Sequence, residues 1–187
     1  MNAIWGMVLV LFLTVASGIT ATPVAAEEYA CRGTVGARTL DNVRVPSGAT
    51  CVLDGTTVKG TVTVGANATL KARGARVIGN IQAENHKLVV VNGGTAVGGS
   101  IQIDQGGAHK VTGAKVTGSI QASSNAGSSL LRNNTVNADI QVIGHRNGVE
   151  ISSNRVDGNL QCKENSPAPT GGGNVAQGGK EDQCSRL

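Results

Sequence analysis

The sequence predicts an all-β fold: a single-stranded parallel β-helix of about seven coils of 19–20 residues, with disulfide-tied ends. Three observations carry that expectation. The first is a recurring heptad, Val58-Lys-Gly-Thr-Val-Thr-Val64, Val77-Ile-Gly-Asn-Ile-Gln-Ala83, Val97-Gly-Gly-Ser-Ile-Gln-Ile103 and Val116-Thr-Gly-Ser-Ile-Gln-Ala122, continuing as Val136-Asn-Ala-Asp-Ile-Gln-Val142 and Val156-Asp-Gly-Asn-Leu-Gln-Cys162. Its fifth position falls at Val43, Val62, Ile81, Ile101, Ile120, Ile140 and Leu160, with spacings of 19, 19, 20, 19, 20 and 20. Self-similarity at a fixed period marks a stacked-repeat architecture. The second is the shortage of aromatics: beyond Trp5 and Phe12 only Tyr29 remains. Aromatic side chains fill thick cores, so a chain without them fills a thin one. The third is the placing of four cysteines in two pairs, one at each end of the repeat array.

Residues 1–26 read as a secretory signal peptide. Ile4 to Ile19 is nearly all apolar, and Val24-Ala25-Ala26 supplies small residues before Glu27-Glu28. The run is short of the ~20 residues a membrane span needs, and no later stretch is apolar enough to cross once the signal is cleaved. All 16 basic and 12 acidic residues follow position 26, leaving a net charge of +4. That balance mildly favours anionic partners and falls short of a nucleic-acid footprint. Secretion to the periplasm, the cell envelope or beyond is the expected destination.

Residues 27–39 form an N-terminal segment that Cys31 ties back at Cys51. Four cysteines allow three connectivities. A coil at one end of a solenoid cannot reach the other end, so the fold permits only Cys31–Cys51 and Cys162–Cys184, each closing a loop of about 20 residues. Metal binding would want closely spaced pairs, and the sequence has none.

Residues 40–162 are the β-helix itself. Apolar residues alternate along each heptad, so the heptad reads as one half-buried strand with Val116, Gly118, Ile120 and Ala122 inward. The small third position suggests a corner where the interior is tightest. A second apolar stretch recurs at Val52-Leu53, Leu70, Leu88 to Val91, Val111, Leu130-Leu131 and Val149 with Ile151, separated by polar turns. At ~4.8 Å per coil, seven coils make a rod of about 30 Å. Left-handed helices run on strict hexapeptides, so the longer spacing favours the right-handed form. Residues 163–187 read as a Pro/Gly-rich C-terminal cap. Ser166 to Gly173 is expected not to form a strand, and a pinned tail would block edge-to-edge growth.

The Val-x-Gly-Asn/Ser-Ile-Gln repeats resemble those of secreted bacterial parallel β-helix proteins of uncharacterised function, from about Leu40 through Cys184. More distantly the heptad is similar to that of the bactofilins, cytoskeletal β-helices that polymerise end to end. The signal peptide and the cysteine-tied ends depart from the bactofilin pattern. The resemblance implies a fold and transfers no functional residues.

Stacking turns heptad positions into columns. One holds Arg44, Thr63, Gln82, Gln102, Gln121, Gln141 and Gln161; beside it run Asn42, Thr61, Asn80, Ser100, Ser119, Asp139 and Asn159. Such a face can meet a polymer, or its amides can simply bond to one another along the solenoid. Arg76, Lys115 and Arg155 precede heptad valines on every second coil and, with Lys71, Arg73 and Lys110, suggest a basic stripe for an anionic glycan or envelope polymer. His86, His109 and His145 read as surface histidines that share no metal. Glycoside hydrolysis needs two carboxylates roughly 5–10 Å apart. Asp104 has no evident acidic neighbour on the next coil, so no catalytic residue is assigned, and no cofactor is called for. The sequence points first to a non-catalytic secreted module that presents a rigid polar surface to a polymer or partner. A self-assembling scaffold comes second. A carbohydrate-active enzyme comes third, and would need a carboxylate pair across coils.

Overall fold

The structure, a computed structural model, describes residues 27–187; the signal-peptide reading of residues 1–26 lies outside the described residues. The described chain is all-β and holds no helix, hence none long and apolar enough to cross a membrane. Its strands form three parallel sheets of nine, eight and eight strands. Each coil contributes one strand to each sheet in turn. Sheet 1 runs from Glu28–Ala30 to Gly179–Asp182, sheet 2 from Gly33–Val35 to Thr170–Gly172, and sheet 3 from Thr39–Leu40 to Val175–Ala176.

Registration follows the repeat. Val43, Val62, Ile81, Ile101, Ile120, Ile140 and Leu160 are Cα partners down sheet 1, and all are buried. Val58, Val77, Val97, Val116, Val136 and Val156 make the matching column on sheet 3. The core between the sheets is built from Val, Ile, Leu and Ala, as a narrow interior demands. Each fully buried Val, Leu or Ile contributes about 1.5–3 kcal/mol. The ion pairs Arg44–Glu28, Lys59–Asp41 and Arg132–Glu150 are all substantially exposed, and such pairs contribute about 0–1 kcal/mol each. Burial holds the fold together.

The heptad is not one strand. In Val116 to Ala122 the valine ends a sheet 3 strand (Lys115–Val116), a corner follows, and Ile120 opens a sheet 1 strand (Ile120–Ser123). Apolar alternation survives because the chain turns without losing its inside-outside phase. The small third position is half-buried at this corner and serves the stacking between coils. A Cβ on Gly118 would stand 2.3 Å from the Ser100 hydroxyl and 2.8 Å from the Gly99 carbonyl oxygen. Coil-on-coil contact, and not a tight interior, favours a small residue at this position, which is Ala138 in one coil.

The stack has about eight coils where the sequence suggested seven. Within 163–187, Thr170–Gly172 pairs with Glu150–Ser152, Val175–Ala176 with Arg155–Val156, and Gly179–Asp182 with Asn159–Cys162. The glycine-rich stretch does form a strand, because parallel pairing is made by the backbone. Glycine suits it: a Cβ on Gly171 would meet the Ile151 carbonyl at 2.1 Å, and its φ is +126°. Only the turn after Asp182 folds over the end, with Leu187 and Cys184 buried. At the other end Glu28–Ala30 and Gly33–Val35 pair with the next coil, so residues 27–39 are largely solenoid too.

Both expected disulfides form: Cys31–Cys51 with Cα atoms 5.5 Å apart, and Cys162–Cys184 at 5.0 Å. All four cysteines are buried, so each bridge plugs one end of the apolar core. Between sheets 2 and 3, Asn134, Asn154 and Asn174 stack as a buried ladder. The Asn134 side-chain amide donates to the Val111 carbonyl (2.8 Å) and to Asn154 Oδ1 (2.9 Å), and Asn154 repeats the pattern toward Leu131 and Asn174. A buried amide left unpaired would cost about 1–3 kcal/mol; here Asn134 and Asn154 each reach partners on two coils, and Asn174 donates back to the Ile151 carbonyl.

Candidate functional site

Sheet 1 carries a polar ladder with a surface depression beside it. Its outward glutamines form a ladder: Gln82 Nε2 donates to Gln102 Oε1 at 2.9 Å, Gln102 to Gln121 at 3.3 Å, and Gln121 to Gln141 at 3.2 Å. Gln161 lies in the same register but donates to the Glu181 carboxylate. Gln102 and Gln121 each spend one N–H and one oxygen lone pair on their neighbours, the end members Gln82 and Gln141 only one of the two, and an amide offers two of each. At least one donor and one acceptor per coil therefore stay free, at a pitch of ~4.8 Å.

Beside the ladder lies a trough of about 520 Å³ reaching from Thr63 to Asp104. A second depression of about 250 Å³ shares Gln102 and Asp104 with it and continues to Gln141. The depressions together cross five coils. Gly65 and Ala66 keep one end low, and Glu84 and Asp104 stand in the wall. These two carboxylates are Cα register partners on adjacent strands. The sequence reading that Asp104 lacks an acidic neighbour is therefore corrected. The 20-residue step from Glu84 to Asp104 crosses one whole coil, and the match shows only when strands are aligned on Ile81 and Ile101. Like charges directly opposite destabilise a sheet, and no lysine or arginine lines the trough to offset them.

The companion column is structural. Asn42, Thr61, Asn80, Ser100, Ser119 and Asp139 each accept a hydrogen bond, at 2.8–3.4 Å, from the backbone N–H of the same column on the next coil. These side chains are half-buried, and each commits an oxygen to holding the next coil.

The basic residues divide between two faces. Arg76, Lys115 and Arg155 stand in one exposed column on sheet 3, separated by Ala96 and Thr135. Lys71, Arg73 and Lys110 belong to sheet 2.

No family model, curated protein or solved structure matches this chain. Its surfaces have to be read from their own chemistry.

The histidines are not on the surface. His86, His109 and His145 are all buried. His109 occupies an inward strand position between Val89 and Ser129, and its Nε2 lies 2.7 Å from the Ser129 hydroxyl. The small serine leaves room for the His109 and His145 rings to meet edge to face at 5.3 Å. His145 Nε2 lies 3.3 Å from the Asn125 amide nitrogen. His86 packs over Gly106, where any Cβ would strike its ring. Burial pushes all three pKa values down, that of His109 to about 3, with repulsion from His145 and His86 adding to it. Among the described residues no three histidine, cysteine, aspartate or glutamate side chains converge as metal ligands would.

Proposed function

We propose that the protein is a secreted or cell-envelope module that holds an extended polymer against its rigid flank. The observation that carries this is the pair of adjoining depressions on sheet 1, which share Gln102 and Asp104 and are bordered by free amide donors and acceptors repeating once per coil. A pitch of ~4.8 Å is close to the length of one sugar unit in an extended glycan, so successive units meet equivalent groups. The site needs no rearrangement to bind, because the ladder is fixed by its own hydrogen bonds. The two buried disulfides are compatible with an extracellular or periplasmic setting, and the apolar residues 4–19 supply a route there.

The test is to incubate residues 27–187 with peptidoglycan, lipopolysaccharide and neutral and anionic polysaccharides, following retention and polymer length together. Retention without shortening is expected, and Gln102→Ala with Gln121→Ala should weaken it for neutral polymers. No retention on any polymer would overturn the proposal.

One observation favours a second reading. Glu84 and Asp104 stand one coil apart in the trough, and glycosidases that retain configuration use carboxyl groups about 5 Å apart. Shortening that disappears in Glu84→Gln would make the protein a glycan hydrolase.

A further inference from the structure

We infer that the sheet 3 face is a second polymer site, selective for a linear acidic polysaccharide carrying one carboxylate per disaccharide. This deepens the polymer-holding role proposed above and rests on it, while using a different face. Arg76, Lys115 and Arg155 occupy one column, and successive members are two coils apart. At ~4.8 Å per coil the positive charges repeat every ~10 Å. That is near the repeat of one disaccharide in an extended chain, so a carboxylate on alternate sugars stays in step with the cations.

The surface between the charges is shaped to match. A shallow depression of about 170 Å³ lies between Arg76 and Lys115, floored by Ala96 and Gly98. Exposed Ile78 edges it with an apolar surface on which the C–H face of a sugar ring can rest. Among the described residues none of the three cations is paired with a carboxylate. Asp157, two residues after Arg155, takes a hydrogen bond from Gln177. Single-stranded nucleic acid fits poorly, because the face offers no aromatic ring for a base to stack on. Three matched contacts on a rigid rod act together, so their spacing matters as much as their number.

The experiment is calorimetric titration of residues 27–187 with a hyaluronan decasaccharide, which has one carboxylate per disaccharide. The controls are the same oligosaccharide with its carboxyls reduced to alcohols, and single-stranded DNA of equal charge. The decisive variant moves one charge without changing the total: Lys115→Ala combined with Ala96→Lys. Wild type should bind the acidic oligosaccharide and not the reduced one. Both the moved-charge variant and Arg76→Ala/Lys115→Ala/Arg155→Ala should bind at least tenfold more weakly, with unchanged melting temperatures. Wild-type affinity in the moved-charge variant, equal binding of the reduced oligosaccharide, or tighter binding of DNA would each overturn the inference. If hyaluronan binding is lost only with Gln102→Ala/Gln121→Ala, this inference falls and the sheet 1 proposal stands. Absence of binding to every polymer removes both.

Discussion

At the residue scale, the buried histidines make the fold sensitive to acid. His109 is neutral inside the core, with its folded pKa lowered to about 3 from an ordinary 6.5. The unfolded chain therefore binds a proton that the folded chain refuses between those values. Its contribution is fully present above pH 6.5 and is lost as pH falls toward 3, at about 1.4 kcal/mol per pH unit. His86 and His145, also lowered by burial, act in the same direction. Urea unfolding at pH 7 and pH 4.5 should show a marked loss of stability at the lower pH. His109→Val restores the valine found at Val89 and Val149 in the same column. It should reduce that loss by roughly one proton's worth, although freeing the Ser129 hydroxyl costs about 1 kcal/mol at neutral pH. An unchanged pH dependence would show that His109 titrates normally. The sequence did contain the clue. Reading His109 in register with Val89 places it inward, whereas reading histidines by their distance from the heptad places them in turns.

At the element scale, the strands are held by stacked inward columns and by buried amide ladders. Ile120 is fully buried between Ile101 and Ile140. Ile120→Asp would put an unpaired charge into that column, and burying it is prohibitive; circular dichroism should show an unfolded or grossly destabilised domain at neutral pH. Asn154 links two neighbouring asparagines, so Asn154→Leu should destabilise by about 1–3 kcal/mol despite adding apolar volume. A thermal melt superimposable on wild type would refute the ladder's role. The period, the inward positions and the glutamine ladder were legible because one coil repeats the last almost residue for residue. The split of each heptad across a corner was not, since alternation runs unbroken through it. Neither was the Glu84–Asp104 pair, which depends on the register of two strands a whole coil apart. The glycine-rich strand near the end was hidden as well, because it pairs through backbone atoms and leaves no side-chain pattern.

At the scale of the whole molecule, the coils form a quasi-one-dimensional stack in which each contacts its neighbours, and the two disulfides secure the ends. Each bridge closes a loop with a sequence separation of 20 or 22 and contributes about 3 kcal/mol by restricting the unfolded chain. Reduction should lower the melting temperature. If it frees the turn after Asp182, the uncovered strand edges become templates for pairing, and sedimentation velocity should then show end-to-end oligomers absent from the oxidised protein. A monomer under reducing conditions would count against the scaffold alternative. Every surface proposed here depends on one coil being a complete, interchangeable unit. The measurement that tests this most directly is thermal unfolding, by circular dichroism, of two deletions. Removing residues 62–80 joins Thr61 to Ile81 and takes out one whole coil; removing residues 62–71 takes out about half of one. The first should keep the β spectrum and a single cooperative transition, and the second should lose both by sending every later strand to the wrong sheet. If both deletions behave alike, the stacked-coil account is wrong.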